Sequence, residues 1–89
     1  SSPVVGTVLS RIEASRVLDT IATGLRVGLP LIESLDNALR VVVNRQFHGD
    51  LCKAIEAIMG GAGVGVSFRR YTRIPRFATA LIEVGEVSG

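Results

Sequence analysis

The chain has 89 residues, 47% of them apolar and only 4% aromatic with no tryptophan, and ten basic against eight acidic side chains give a net charge of +2. A single domain of that length removes only roughly 60–65% of its unfolded surface from water, so it gains from a covering partner. The near-balanced charge lacks the large basic excess and the base-reading partners of a typical nucleic-acid reader.

One cysteine, Cys52, rules out an internal disulfide, and nothing in the composition demands an oxidising compartment. No apolar run approaches the roughly 20 residues that span a bilayer. The first residues lack the basic start and apolar core of a signal peptide, so none is expected. The apolar pattern runs almost to the last residue, so both ends read as cut rather than natural.

In chain order, Ser10-Arg11-Ile12-Glu13 fits a capping box at a helix start. From there Ala14, Val17, Leu18, Ile21, Ala22 and Leu25 recur at three- and four-residue steps, predicting an amphipathic helix that ends at Gly28. Val5, Val8 and Ile12 would also allow an earlier start. Pro30 opens a second helix from a first-turn position where its missing amide costs nothing. Leu31, Leu35, Ala38, Leu39 and Val42 give that helix its stripe.

The polar stretch 44–50 predicts a break, and a third helix with Leu51, Ile55, Ile58 and Met59 follows, stopping at Gly60-Gly61. Segment 60–65, four of whose six residues are glycine, reads as a loop. Ser67 is the expected cap of a short fourth helix through Tyr71. Pro75 starts a fifth with Phe77, Leu81 and Val84 as its apolar side, closing at Gly85. The fold class is therefore all-α, an antiparallel bundle of about five helices with short connections.

Three motifs carry chemistry on paper. The run from Gly60 to Ser67 has the glycine spacing of a phosphate-binding loop, but Val66 stands where the phosphate-neutralising lysine must be and the loop follows a helix, not a strand. His48 and Cys52, four apart, share a helical face, yet two ligands do not make a metal site and a lone cysteine on an apolar helix is ordinary packing. No Ser-His-Asp constellation exists to argue. The third motif is Arg69, Arg70, Arg73 and Arg76, flanked by Tyr71 and Phe77. It reads either as a solvated rim or as a docking site for an acidic patch or anionic headgroups, because the guanidinium fork suits carboxylates and phosphates.

The stretch Arg16 to Leu39, RVLDTIATGLRVGLPLIESLDNAL, resembles a family pattern of an apolar helix, Gly-hydrophobic-Pro-Leu, and a helix carrying Ala-Leu. The end, RIPRFATALIEVGEVSG, is similar to the family's second hallmark, a proline-led apolar helix closing in Gly-Glu-x-Ser-Gly. The family is the type II secretion system F protein with its type IV pilus counterpart, PilC. Pro3-Val4-Val5-Gly6 resembles the lead-in to the second of the family's two cytoplasmic repeats.

The resemblance implies a six-helix bundle, of which residues 1–89 form one cytoplasmic domain lacking the sixth helix. An apolar groove and self-association would follow from that lack. It further implies a scaffold of the bacterial inner-membrane platform, not an enzyme, with no catalytic residue, cofactor or metal. Such a scaffold would link the cytoplasmic assembly ATPase and other platform proteins to pilin or pseudopilin assembly, as a homo-oligomer whose parent is membrane-embedded and which binds no nucleic acid. Gly28, Pro30, Gly85, Glu86, Ser88 and Gly89 would set turns and helix packing, and the arginine group from Arg69 to Arg76 would face a partner. A small helical nucleic-acid-binding domain using those arginines is the alternative, and its affinity would fall steeply with salt.

Overall fold

Five helices in chain order, α1 (Pro3–Arg26), α2 (Leu31–Arg40), α3 (Arg45–Met59), α4 (Val64–Tyr71) and α5 (Arg76–Ser88), make up the computed structural model. It describes the backbone of residues 3–88 and the side-chain surroundings of residues 11–87. Gly89 lies outside the described residues. Each of the four connections (27–30, 41–44, 60–63 and 72–75) is four residues long, so successive helices are forced to pack on one another. Contact runs mainly between α1 and α2, α3 and α4, and α4 and α5, more sparsely between α2 and α3, while α1 and α5 barely meet. The long axis of 40 Å is set by α1, whose 24 residues rise about 36 Å.

The core forms where the apolar stripes converge. Val17, Leu35, Ala38, Leu51, Ala54 and Phe68 are fully buried, with Ala14, Ile55 and Ile74 close behind. Gly24 on α1 lets α2 approach closely: a Cβ there would lie 2.4 Å from Ser34 Oγ. Gly65 does the same on α4, where a Cβ would meet the Thr79 carbonyl oxygen at 2.7 Å and the Glu83 nitrogen at 2.9 Å. The α4–α5 seam is therefore a backbone-to-backbone contact that only glycine admits.

The helix boundaries differ from the sequence expectation in five places. Helix α1 starts before Ser10, and Glu13 forms no capping box: its carboxylate accepts hydrogen bonds from the Val43 and Asn44 amides instead. Pro30 is the cap of α2 rather than its first residue; its φ of −57° suits the turn into the helix. The expected break at 44–50 is absent, because Asn44 caps α3 by accepting the Phe47 amide at 2.9 Å and the helix begins at Arg45.

Ser67 is not a cap but a buried residue inside α4, which starts at Val64. Finally, Gly85, Glu86 and Ser88 form no turn; α5 continues through them. Gly28, by contrast, has a φ of +92° and accompanies the end of α1, where the Leu29 amide donates to the Gly24 carbonyl.

Candidate interaction site

Among the described residues, the chemistry-bearing side chains do not converge on a reactive centre. His48 Nδ1 and Cys52 Sγ sit 3.7 Å apart on α3, with His48 exposed and no third group among the described residues hydrogen-bonded to the pair. Among the described residues no group of three or more His, Cys, Asp or Glu is placed to hold a metal ion. The glycine run ends at the α4 N-terminus, where the free amides of a helix would welcome an anion. That place is taken from within: Glu86 Oε2 accepts the Val64 amide at 2.8 Å and Oε1 accepts the Gly65 amide at 2.9 Å. The chain's own carboxylate thus sits where a phosphate would bind.

Glu13 plays the same part for the α2–α3 connection, at 2.7 Å from the Val43 nitrogen and 3.0 Å from that of Asn44, and is almost fully buried. The reading of the sequence missed both clamps. The signal for Glu13 was an acid on the same stripe as Ala14 and Val17. For Glu86 it was the alignment with Thr79 and Glu83 at helical spacing.

The structure divides the arginine group. Arg69 Nη1 lies 2.9 Å from Glu83 Oε1, and their alignment falls short of a hydrogen bond, so the contact is an ion pair that fastens α4 to α5. Arg70 is exposed, with its guanidinium 5.6 Å from the Tyr71 ring centroid, within the range of a cation–π contact. Arg73 and Arg76 are exposed around the α4–α5 turn, and none of these three forms an ion pair among the described residues.

Helix α5 is inverted relative to an ordinary surface helix, which turns its charges to water. Its acids, Glu83 and Glu86, face α4, while Phe77, Leu81, Val84 and Val87 point outward. The side expected to be buried is therefore exposed: at the close contact with Gly65, α5 presents the Thr79 carbonyl and Glu83 to α4, and Ala78 and Thr79 are the buried residues of the helix. Between α5 and α1 lies an open groove of about 1020 Å³, walled by Leu18, Ala22 and Leu25 on one side and Phe77, Leu81 and Gly85 on the other. A Cβ on Gly85 would meet nothing within 4 Å.

These features define a class: a small all-helical domain with a largely apolar groove, a basic turn and no assembled reactive centre among the described residues. Residues 17–89 match the family described as Type II secretion system (T2SS), protein F, and the chain belongs to that family. It is 36% identical over 86 residues to the type II secretion system protein F of Xanthomonas campestris pv. campestris, covering 97% of this chain and 21% of that protein.

The type II secretion system protein F of Pseudomonas aeruginosa is 31% identical over 87 residues, 98% of this chain and 22% of the relative. The type IV pilus assembly protein TapC of Aeromonas hydrophila is 25% identical over 87 residues, 98% of this chain and 21% of the relative. The chain thus spans about a fifth of the length of the relatives it matches. No solved structure matches it. No helix of the described residues is long and apolar enough to cross a membrane.

Proposed function

We propose that the chain is a scaffold domain of the inner-membrane platform of a type II secretion or type IV pilus machine. It acts on the cytoplasmic face, by contact and not by catalysis, with no cofactor. Its parent links the cytoplasmic assembly ATPase to pilin or pseudopilin assembly and associates with other platform proteins and with itself. The observation that carries this reading is the family match over residues 17–89. The inward use of every α5 acid supports it, because that arrangement leaves apolar and basic surface available for partners.

The partner-facing residues are Arg70, Arg73 and Arg76, beside Arg69, whose ion pair gives it a structural duty as well. Their forks suit an acidic patch. Reversing Arg70, Arg73 and Arg76 to glutamate should weaken binding of the purified assembly ATPase at least tenfold in calorimetric titration, while helical circular dichroism stays unchanged. Undiminished affinity would remove these residues from the docking surface.

A further inference from the structure

The excess of positive charge has one address. Residues 1–56 hold six cations and six acids, whereas no acid occurs between Glu56 and Glu83, the stretch in which Arg69, Arg70, Arg73 and Arg76 fall. The two acids that follow, Glu83 and Glu86, are engaged with Arg69 and with the α4 amides. The net charge of +2 is therefore concentrated at the turn from α4 to α5.

Two features single out that turn. The positive end of the α5 dipole lies there, the first turn of the helix contains no acid, and Arg73 and Arg76 add cations where a helix gains from anions. Neither forms an ion pair among the described residues. Beside them Phe77 is 72% exposed, at the start of a helix that buries Ala78 and Thr79 instead. An acidic protein patch answers the guanidiniums. A bilayer with anionic headgroups answers guanidiniums and ring together, being charged outside and apolar just beneath.

The mount is rigid. Ile74 is buried and its neighbour Arg73 is exposed, while Thr72 Oγ1 accepts the Ile74 amide at 3.2 Å and donates to the Phe68 carbonyl at 2.6 Å.

We propose that the α4–α5 turn docks on anionic phospholipid, with Arg70, Arg73 and Arg76 holding the phosphate groups and Phe77 entering the boundary of the acyl chains. A bilayer is within reach of a domain whose parent sits in the inner membrane, the reading on which this proposal rests. Three cations and one ring give a reversible attachment, since even one myristoyl chain anchors a protein only marginally. The assembly ATPase, docking on the same arginines, displaces the bilayer, so the turn holds one partner at a time.

The chain contains no tryptophan, so Phe77→Trp places a single fluorescent reporter at the turn. Vesicles of about 30 mol% phosphatidylglycerol in phosphatidylcholine should shift its emission to the blue, and brominated acyl chains should quench it. Pure phosphatidylcholine should do neither, and raising salt from about 0.05 to about 0.5 M should release the protein. In vesicle flotation each arginine near the surface contributes about fivefold, so replacing Arg70, Arg73 and Arg76 together by glutamine should lower the partition coefficient roughly 100-fold. Phe77→Ser should lower it roughly tenfold and leave affinity for the purified ATPase unchanged. Arg45→Glu makes the same charge change as Arg73→Glu at an exposed site on α3, and should have much the smaller effect.

A wild-type chain that binds the ATPase but does not float with the anionic vesicles overturns the proposal and leaves the arginines to the protein partner. Flotation without ATPase binding supports it and removes the ATPase from the turn. Flotation with no blue shift in Phe77→Trp, or equal losses in Arg45→Glu and Arg73→Glu, would also overturn it.

Discussion

Gly65→Ala sets two effects of known sign against each other. Alanine is favoured over glycine in a helix by about 1 kcal/mol, which alone would stabilise α4. The new methyl, however, would sit 2.7 Å from the Thr79 carbonyl oxygen, 2.9 Å from the Glu83 nitrogen and 2.5 Å from Glu83 Cγ, where ordinary contact begins at 3.4 Å. Two of these neighbours are backbone, so relief requires α5 to retreat by about 0.7 Å (3.4 less 2.7). Such a retreat opens the seam that buries Phe68, Ala78 and Thr79 and stretches the Glu86 clamp.

Overpacking of this kind costs about 3 kcal/mol when backbone must move, so the net loss is about 2 kcal/mol. For a domain of this size that lowers the Tm by about 8–16 °C. Gly49→Ala is the control: the site lies in α3 with nothing within 4 Å, and the same substitution should raise stability by about 1 kcal/mol. Urea melts followed at 222 nm, at one fixed protein concentration because self-association contributes to apparent stability, compare the two. If Gly65→Ala stabilised the domain as Gly49→Ala does, the helices could not approach as closely as described and the account of the α4–α5 seam would be wrong.

The two carboxylate clamps should differ in strength. Glu13→Ala strands two amides beside a nearly buried side chain and should cost about 2–3 kcal/mol, whereas water can replace the exposed Glu86, whose loss should cost about 1 kcal/mol. Amide hydrogen exchange should speed at Val43 and Asn44 in Glu13→Gln, and at Val64 and Gly65 in Glu86→Gln; exchange rising evenly across the domain would refute the local assignment. Ser67 distinguishes a cap from a packed residue. Its buried hydroxyl has no partner among the described residues, so Ser67→Ala should be neutral or stabilise by up to about 1 kcal/mol, and a loss above 1 kcal/mol in the melt would restore the capping role.

Helical periodicity made the all-α class and the number of helices legible before any coordinates, because a 3.6-residue stripe is a local property of the chain. Val17, Leu35, Leu51 and Phe68 illustrate its outcome in the core. Family membership was legible too, through Gly28-Leu29-Pro30 and the terminal Gly-Glu-Val-Ser-Gly, since these short patterns lie within contiguous segments.

Boundaries were less legible. The polar run after Asn44 resembles a loop until one sees that its side chain caps the helix and that Glu13, thirty residues upstream, holds the amides of the connection.

Only tertiary structure decided which way α5 faces. Along its sequence Phe77, Leu81 and Val84 form the greasier side, and an isolated amphipathic helix would bury them. The close contact at Gly65 goes with the opposite choice, because it sets the Thr79 carbonyl and Glu83 against α4 and leaves Phe77, Leu81 and Val84 on the far side. The charges then follow: Glu83 finds Arg69, and Glu86 finds the free amides of α4, across sequence gaps that no local pattern encodes. Pairings of that range depend on where two helices meet, and the meeting point is set by packing against the rest of the bundle.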